Sequence, residues 1–258
     1  MCQIGLNVPD AFIICEEAFR DFCQPWIGSF EVNSTETVSD ETIEMLRDQF
    51  DEYPMNQDLI NEIQQQLNGI ITKSNSPSPL LAVRSSGIAE DLDNASFAGM
   101  NDTVLNVPSN ISDICSAVKN CWKSLFLRRS IDYRLKHGFS LYNTSIAVII
   151  QLMIPSEKSG VVFSSDSQTG SRSHLCIDGV QGLGEALVSG QVNTDHWRIR
   201  KPYGKHSWYV EEEFIGKQEF KLISNYPQDG TTKIPLSEEE ASAPCFTQGD
   251  VYVFLSSY

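Results

Sequence analysis

The residues best suited to chemistry lie in one stretch, Val83 to Val107, which reads VRSSGIAEDLDNASFAGMNDTVLNV. Arg84 stands at the tip of the apolar run Leu80-Leu81-Ala82-Val83, which the pattern predicts as a buried strand. Its guanidinium is a planar fork of donors that fits phosphate oxygens and keeps its charge. Gly99 has no Cβ to hold backbone N–H groups away from a phosphate. Ser85, Ser86, Ser96 and Thr103 add hydroxyls. Together these residues offer to cradle a polyanion. They also allow a plainer reading, with Arg84 in a structural ion pair to Glu90 or Asp91 beside an ordinary glycine turn. Spacing alone leaves both open. A second glycine-rich element, Gly179-Val180-Gln181-Gly182-Leu183-Gly184-Glu185, carries little weight by itself, because a glycine pair before a helix is common.

Composition narrows the function classes. The chain has 258 residues, enough for one large core or two modest ones, and it is 41% hydrophobic and 21% charged. A net charge of −15 argues against a nucleic-acid or anionic-membrane surface, yet one pocket can be locally positive in an acidic protein. No run approaches the roughly 18 apolar residues that span a bilayer, and the N-terminal residues lack the pattern of a signal peptide. Seven cysteines with no CxxC pair predict reduced, mostly buried thiols of a cytoplasmic protein rather than disulfides or a zinc site. Walker-type, GxSxG and HExxH patterns are missing, so no catalytic residue and no metal ligand is assigned. The four histidines read as surface or packing residues, and Glu211–Glu213 and Glu238–Glu240 as solvated faces.

The elements that must position Arg84 follow from periodicity. Residues 11–14 predict a short strand and 16–23 a helix. Ser39 predicts the N-cap of a helix carrying Ile43, Leu46 and Phe50. A further helix with Leu59, Ile60, Ile63 and Leu67 on one face ends at Gly69, and a helix from Ile111 is closed by Gly138. Strands follow at 145–154, 159–163 and 174–177, then a hairpin turning at Pro202-Tyr203-Gly204. The run Val251-Tyr252-Val253-Phe254-Leu255 reads as stopping without a turn or a packing partner. Helices first, antiparallel-looking strands later and no βαβ alternation predict an α+β fold.

Taken together, the stretches become specific. Val83–Val107 resembles the VRSSAxxEDLxxASFAGxxDTxLNV signature of the ATP-binding domain in the phosphoenolpyruvate synthase and pyruvate phosphate dikinase family. Residues 148–154 resemble its VVVQxMV strand, 159–170 its SGVMFTxxPxTG, and 182–190 its GLGEAxVSG. Val192-Asn193-Thr194-Asp195 resembles VxPD, and Ile4 to Phe19 resembles GIxVPxGFxxxxxAF. Within the family the likeness is nearest to phosphoenolpyruvate synthase and rifampicin phosphotransferase.

The resemblance implies an ATP-grasp fold of two α+β lobes, with residues 1–255 as one nucleotide-binding domain, incomplete at both ends, and 256–258 as a tail. It implies that Arg84 holds the ATP phosphates and that Gly99 and Thr103 lie along the same loop. Gln151 would meet the adenine end, where an amide can both donate and accept; the plainer alternative is a solvent-facing polar residue on an edge strand. Gly182, Gly184 and Glu185 would line the cleft. The implied cofactors are ATP and Mg2+, the metal ligands lying outside this chain, and the implied activity is that of an ATP-dependent phosphotransferase. Such an enzyme moves ATP's β-phosphate through a phosphohistidine domain to pyruvate or a similar acceptor, leaving AMP and phosphate. The family's phosphate-gripping Lys would precede this chain, and Ser167 stands where the family has Pro. The expectation is therefore of nucleotide binding at most, with a non-catalytic regulatory fragment or a truncated gene product as the alternative.

Overall fold

Capping residues and apolar stripes write the first helices directly. In the computed structural model, described for residues 7–28, 38–74, 76–87, 91–92, 95–96, 103–137, 144–166, 168–204, 207–225 and 230–256, strand β1 (Ala11–Ile14) leads into α1 (Glu16–Ile27), α2 (Asp40–Glu52) and α3 (Gln57–Lys73). Ser39 caps α2 by accepting from the Thr42 N–H, and Asn56 caps α3 by accepting from Asp58. Then come β2 (Leu80–Gly87), the two-residue strands β3 (Asp91–Leu92) and β4 (Ala95–Ser96), and β5 (Thr103–Pro108). Helix α4 (Ile111–Lys123), the 3-10 turn Ser124–Phe126, α5 (Arg128–Lys136) and β6 (Ile146–Leu152) complete this part. The later elements are β7 (Lys158–Phe163), β8 (His174–Gln181), α6 (Glu185–Val188), β9 (Asp195–Arg200), β10 (Tyr209–Phe214), β11 (Phe220–Ser224), β12 (Thr231–Pro235), α7 (Glu238–Ser242) and α8 (Gln248–Ser256).

The chain divides into two compact units. One is Met1–Met153 with Tyr226–Gly230, the other Ile154–Asn225 with Thr231–Tyr258. The first unit carries a sheet of order β1-β6-β2-β5, the second a sheet of order β10-β9-β8-β7 and the β11-β12 hairpin. The ladders between these strands are all antiparallel, in keeping with an α+β chain, and an isolated parallel bridge joins Gly182 to Leu222.

The first core is aromatic where the helices meet. Phe19, Phe22, Trp26, Phe50, Trp122 and Phe126 lie with neighbouring ring centroids 5.1–6.4 Å apart. One face of the sheet joins this core through Ile14, Leu81, Val83, Val107, Ile146, Val148 and Ile150. The second core gathers Leu175, Ile177, Trp197 and Ile199 with Cys245, Val251 and Leu255.

Several expectations needed correction. Gly69 does not end its helix, which runs on to Lys73 and is capped at Ser74. The helix expected from Ile111 to Gly138 breaks at Ser124, whose hydroxyl donates to the Cys121 carbonyl at 2.7 Å, and Leu127 is extended with ψ 144°. The run Val251–Leu255 has a packing partner after all. It belongs to α8, where helical spacing brings Val251 and Leu255, both 2% exposed, onto the second core.

Candidate functional site

Residues paired directly across a sheet share a face, as do residues two apart along a strand. In the first unit Arg84 is paired with Thr103 on one side and Ile149 on the other, and Ala82 with Gln151. Arg84, Thr103 and Gln151 therefore emerge on one face of the sheet. The alternate residues Leu81, Val83, Val148 and Ile150 carry the helical core on the other face. Arg84 and Thr103 are exposed and Gln151 half-buried. Strand β2 continues to Gly87, so Arg84 sits within the strand rather than at its tip. Its side chain makes no hydrogen bond or ion pair with the described residues; Glu90 and the side chain of Asp91, expected as structural partners, fall outside them. Gly99 also lies outside the described residues.

Gln151 corrects another expectation. It is on β6, which is flanked by β1 and β2, so an edge-strand origin for its polarity does not apply. Its Nε2 donates to the Pro9 carbonyl at 3.2 Å. That bond fixes the carboxamide and leaves Oε1 and the second N–H for another group.

A cavity in the first unit lies elsewhere. A hollow of about 680 Å3 runs between β1, α1 and α3 and is lined by Glu17, Asp21, Asp58 and Glu62, with no lysine or arginine. Four carboxylates without a cation repel a polyphosphate.

In the second unit the glycine element divides by cause. Gly182 has φ +79°, and a Cβ there would lie 2.3 Å from the Leu222 carbonyl oxygen. It lets β11 approach closely enough for the Leu183 N–H to donate to Leu222 at 2.9 Å, and folding alone explains it. Gly184 differs. It has φ −63°, and a Cβ would meet only ordinary contact at 3.4 Å from Ser159, so the fold does not require glycine. Glu185 is engaged by the Thr231 hydroxyl at 2.9 Å, a partner the sequence did not suggest. Gly182 and Leu183 also line a hollow of about 570 Å3 with Lys158, Lys221, Gln181 and Ser156.

Sequence reasoning left Asp195 without a role. It is fully buried, and its carboxylate accepts from the N–H groups of Gly216 at 2.9 Å and Cys245 at 2.6 Å, and from Gln218 Nε2 at 3.4 Å. Burial, and then this carboxylate, push the Cys245 thiol up from its ordinary pKa. Asp195 had entered the sequence reading only as the end of the VxPD-like stretch Val192–Asp195, which gives no sign of these partners.

The acidic run Glu211–Glu213 is exposed, as expected of a solvated face, and also meets basic and aromatic partners on β9. Arg198 Nη1 donates to Glu211 at 2.9 Å and to Glu212 at 3.1 Å, and Trp197 Nε1 donates to Glu213 at 3.2 Å. Arg198 Nε donates to Asp166 at 2.8 Å. Hydrogen bonds from Thr169, then from the Gln168 N–H and Arg198, hold the Asp166 carboxyl well below the usual carboxylate range. His174, also buried, stands 2.8 Å from Glu211, and His196 lies 2.6 Å from Asp178. The Arg198–Asp166 pair ties the loop after β7 to the sheet and the others join β8, β9 and β10 to one another.

Six described cysteines are free. No three His, Cys, Asp or Glu side chains among the described residues converge to hold a metal ion, and no described helix is long and apolar enough to cross a membrane.

Comparison with known proteins adds to this geometry. Phosphoenolpyruvate synthase of Pyrococcus furiosus is 32% identical over 232 residues, covering 90% of this chain and 28% of that protein. The probable phosphoenolpyruvate synthase of Pyrococcus horikoshii is 33% identical over 251 residues, or 97% of this chain and 29% of its own length. Rifampicin phosphotransferase of Bacillus cereus is 48% identical over 120 residues, 46% of this chain and 14% of that protein. The chain thus spans less than a third of each of these relatives. The family model described as the pyruvate phosphate dikinase AMP/ATP-binding domain matches residues 1–254. With a match over nearly its whole length, the chain belongs to the pyruvate phosphate dikinase AMP/ATP-binding domain family.

Proposed function

We propose that this chain is the ATP-binding part of an ATP-dependent phosphotransferase of the dikinase type, with Arg84 and Thr103 on the phosphates and Gln151 at the adenine end. The observation that carries the reading is the shared sheet face: an exposed guanidinium without a described partner, a hydroxyl directly across from it, and a fixed carboxamide on the next strand. A cation that folding does not use is available for a ligand. Gly99 belongs to the proposal as the place where backbone N–H groups approach phosphate. Gly182, Gly184 and Glu185 remain candidate contacts, Gly184 with the best case because its backbone does not demand glycine.

An ATP-grasp fold, with residues 1–255 as the nucleotide-binding domain, is part of the same proposal. So is the chemistry of the whole protein: transfer of ATP's β-phosphate to a histidine of another domain and on to pyruvate or a similar acceptor, leaving AMP and phosphate. Relatives several times longer than this chain are consistent with further domains. Mg2+ would neutralise phosphate charge, and among the described residues no three His, Cys, Asp or Glu side chains converge to hold it. A cytoplasmic location is proposed, in keeping with the free thiols.

Titration calorimetry with ATP and with adenosine tests the reading. Arg84→Ala is expected to weaken ATP roughly 10- to 100-fold, the worth of charge-assisted hydrogen bonds to phosphate, and to leave adenosine nearly unchanged. Equal ATP affinity in both proteins overturns it. Followed by chromatography with Mg2+, AMP is expected to form little or not at all, because the accepting histidine belongs to another domain; robust turnover by this chain overturns that assignment.

A further inference from the structure

Strand β5 contains an irregularity that decides which way Thr103 faces. Leu81 is paired with Val107, but Val83 is paired with Val104, so two steps along β2 match three along β5. Leu105 and Asn106 share the place opposite Ala82, which makes this a β-bulge. Asn106 has φ +60°, the one non-glycine residue at positive φ among those described. It is also fully buried, with Nδ2 donating to the Gly230 carbonyl at 2.5 Å within the same unit.

The bulge has a consequence for the site. Counting regularly from Leu81 opposite Val107 would set Val104 across from Arg84 and Thr103 across from Ser85. Ser85 is on the core-side phase, paired with the fully buried Val148. Thr103 would then point at the helices, and Val104 would stand beside the guanidinium. A slip of one residue exchanges the two faces of a strand. The extra residue restores the useful phase, with Thr103 exposed beside Arg84 and Val104 packed on the core.

We propose that Asn106 is a positioning residue: its left-handed bulge and buried carboxamide set the register that brings Thr103 beside Arg84 on the phosphate-binding face. The proposal rests on reading that face as the nucleotide site. Asn suits the position because it tolerates the left-handed region better than other side chains and its amide finds an acceptor in the interior. Glycine could adopt the backbone but could not make the bond. A β-branched residue could do neither.

The test uses the full chain as wild type, Asn106→Gly and Asn106→Val, with Asn106→Ala in place of the valine variant if that one does not fold. Two readouts are taken: the cross-strand NOE between the backbones of Arg84 and Thr103, and the ratio of ATP to adenosine affinity. The glycine variant is expected to keep the NOE and hold the ratio within about threefold. The valine or alanine variant is expected to lose the NOE and at least about tenfold of the ratio, adenosine affinity being unchanged, as the loss of a charge-assisted phosphate contact would give. General destabilisation would lower both affinities together and leave their ratio alone. A lost NOE with an intact ratio overturns the positioning role, as does a retained NOE in the valine or alanine variant. A wild type that keeps the NOE but binds neither ligand overturns the nucleotide reading and leaves the register assignment standing.

Discussion

Replacing Gly182 with alanine is expected to cost about 3 kcal/mol or more of stability, read as a fall in the urea midpoint at constant slope. Holding an L-residue in the left-handed region costs roughly 1–2 kcal/mol by itself. The remainder comes from the new Cβ, placed 2.3 Å from the Leu222 carbonyl oxygen, a backbone atom that moves only if β11 moves. Such a movement pulls on the 2.9 Å hydrogen bond from the Leu183 N–H to Leu222, and an orphaned buried group costs about 1–3 kcal/mol. Gly184→Ala sets the contrast, because a Cβ there meets only Ser159 at ordinary distance. A Gly182→Ala protein within about 1 kcal/mol of wild type would mean that β11 does not approach as described.

Asp195→Ala is expected to be at least as damaging, at about 3–5 kcal/mol. The substitution strips the acceptor from the Gly216 and Cys245 N–H groups and from Gln218 Nε2, all within one buried cluster. Asp195→Asn keeps one acceptor oxygen and should fall between. The loss should also show locally. Cys245, 1% exposed and held against Asp195, should react faster with a thiol reagent in the variant, at urea concentrations well below the midpoint. Unchanged thiol protection together with near-native stability would show that Asp195 does not staple β9 to the segment before α8.

Much of the first unit was legible because its signals are local. Ser39 and the Ile43, Leu46, Phe50 stripe specify α2 from start to face, and the LLAV run specifies the buried start of β2. Arg84 and Thr103 could be picked out by chemistry and Gln151 by the family resemblance, and strand pairing puts the three on one face of the sheet. What periodicity could not reveal is the phase between strands. The extra residue at Asn106 shows only in the paired ladder, as does the interior place of β6 that makes Gln151 something other than an edge residue. Long-range partners were equally hidden. Glu211–Glu213 are the solvated run that the sequence suggests, but their pairing with Arg198 and Trp197 shows only once β9 lies alongside, and Val251–Leu255 look unpartnered until helical spacing turns two of them onto the second core.

The central claim is that one face of the first sheet grips a nucleotide's phosphates through Arg84. Two-dimensional NMR of the isotopically labelled chain, titrated with ATP and with adenosine, tests it most directly. ATP is predicted to shift the Arg84 Nε–H and the Thr103 and Ile149 amides, with adenosine reaching only the Gln151 end. Shifts confined to the acidic hollow between β1, α1 and α3, with Arg84 and Thr103 unmoved, would contradict the account.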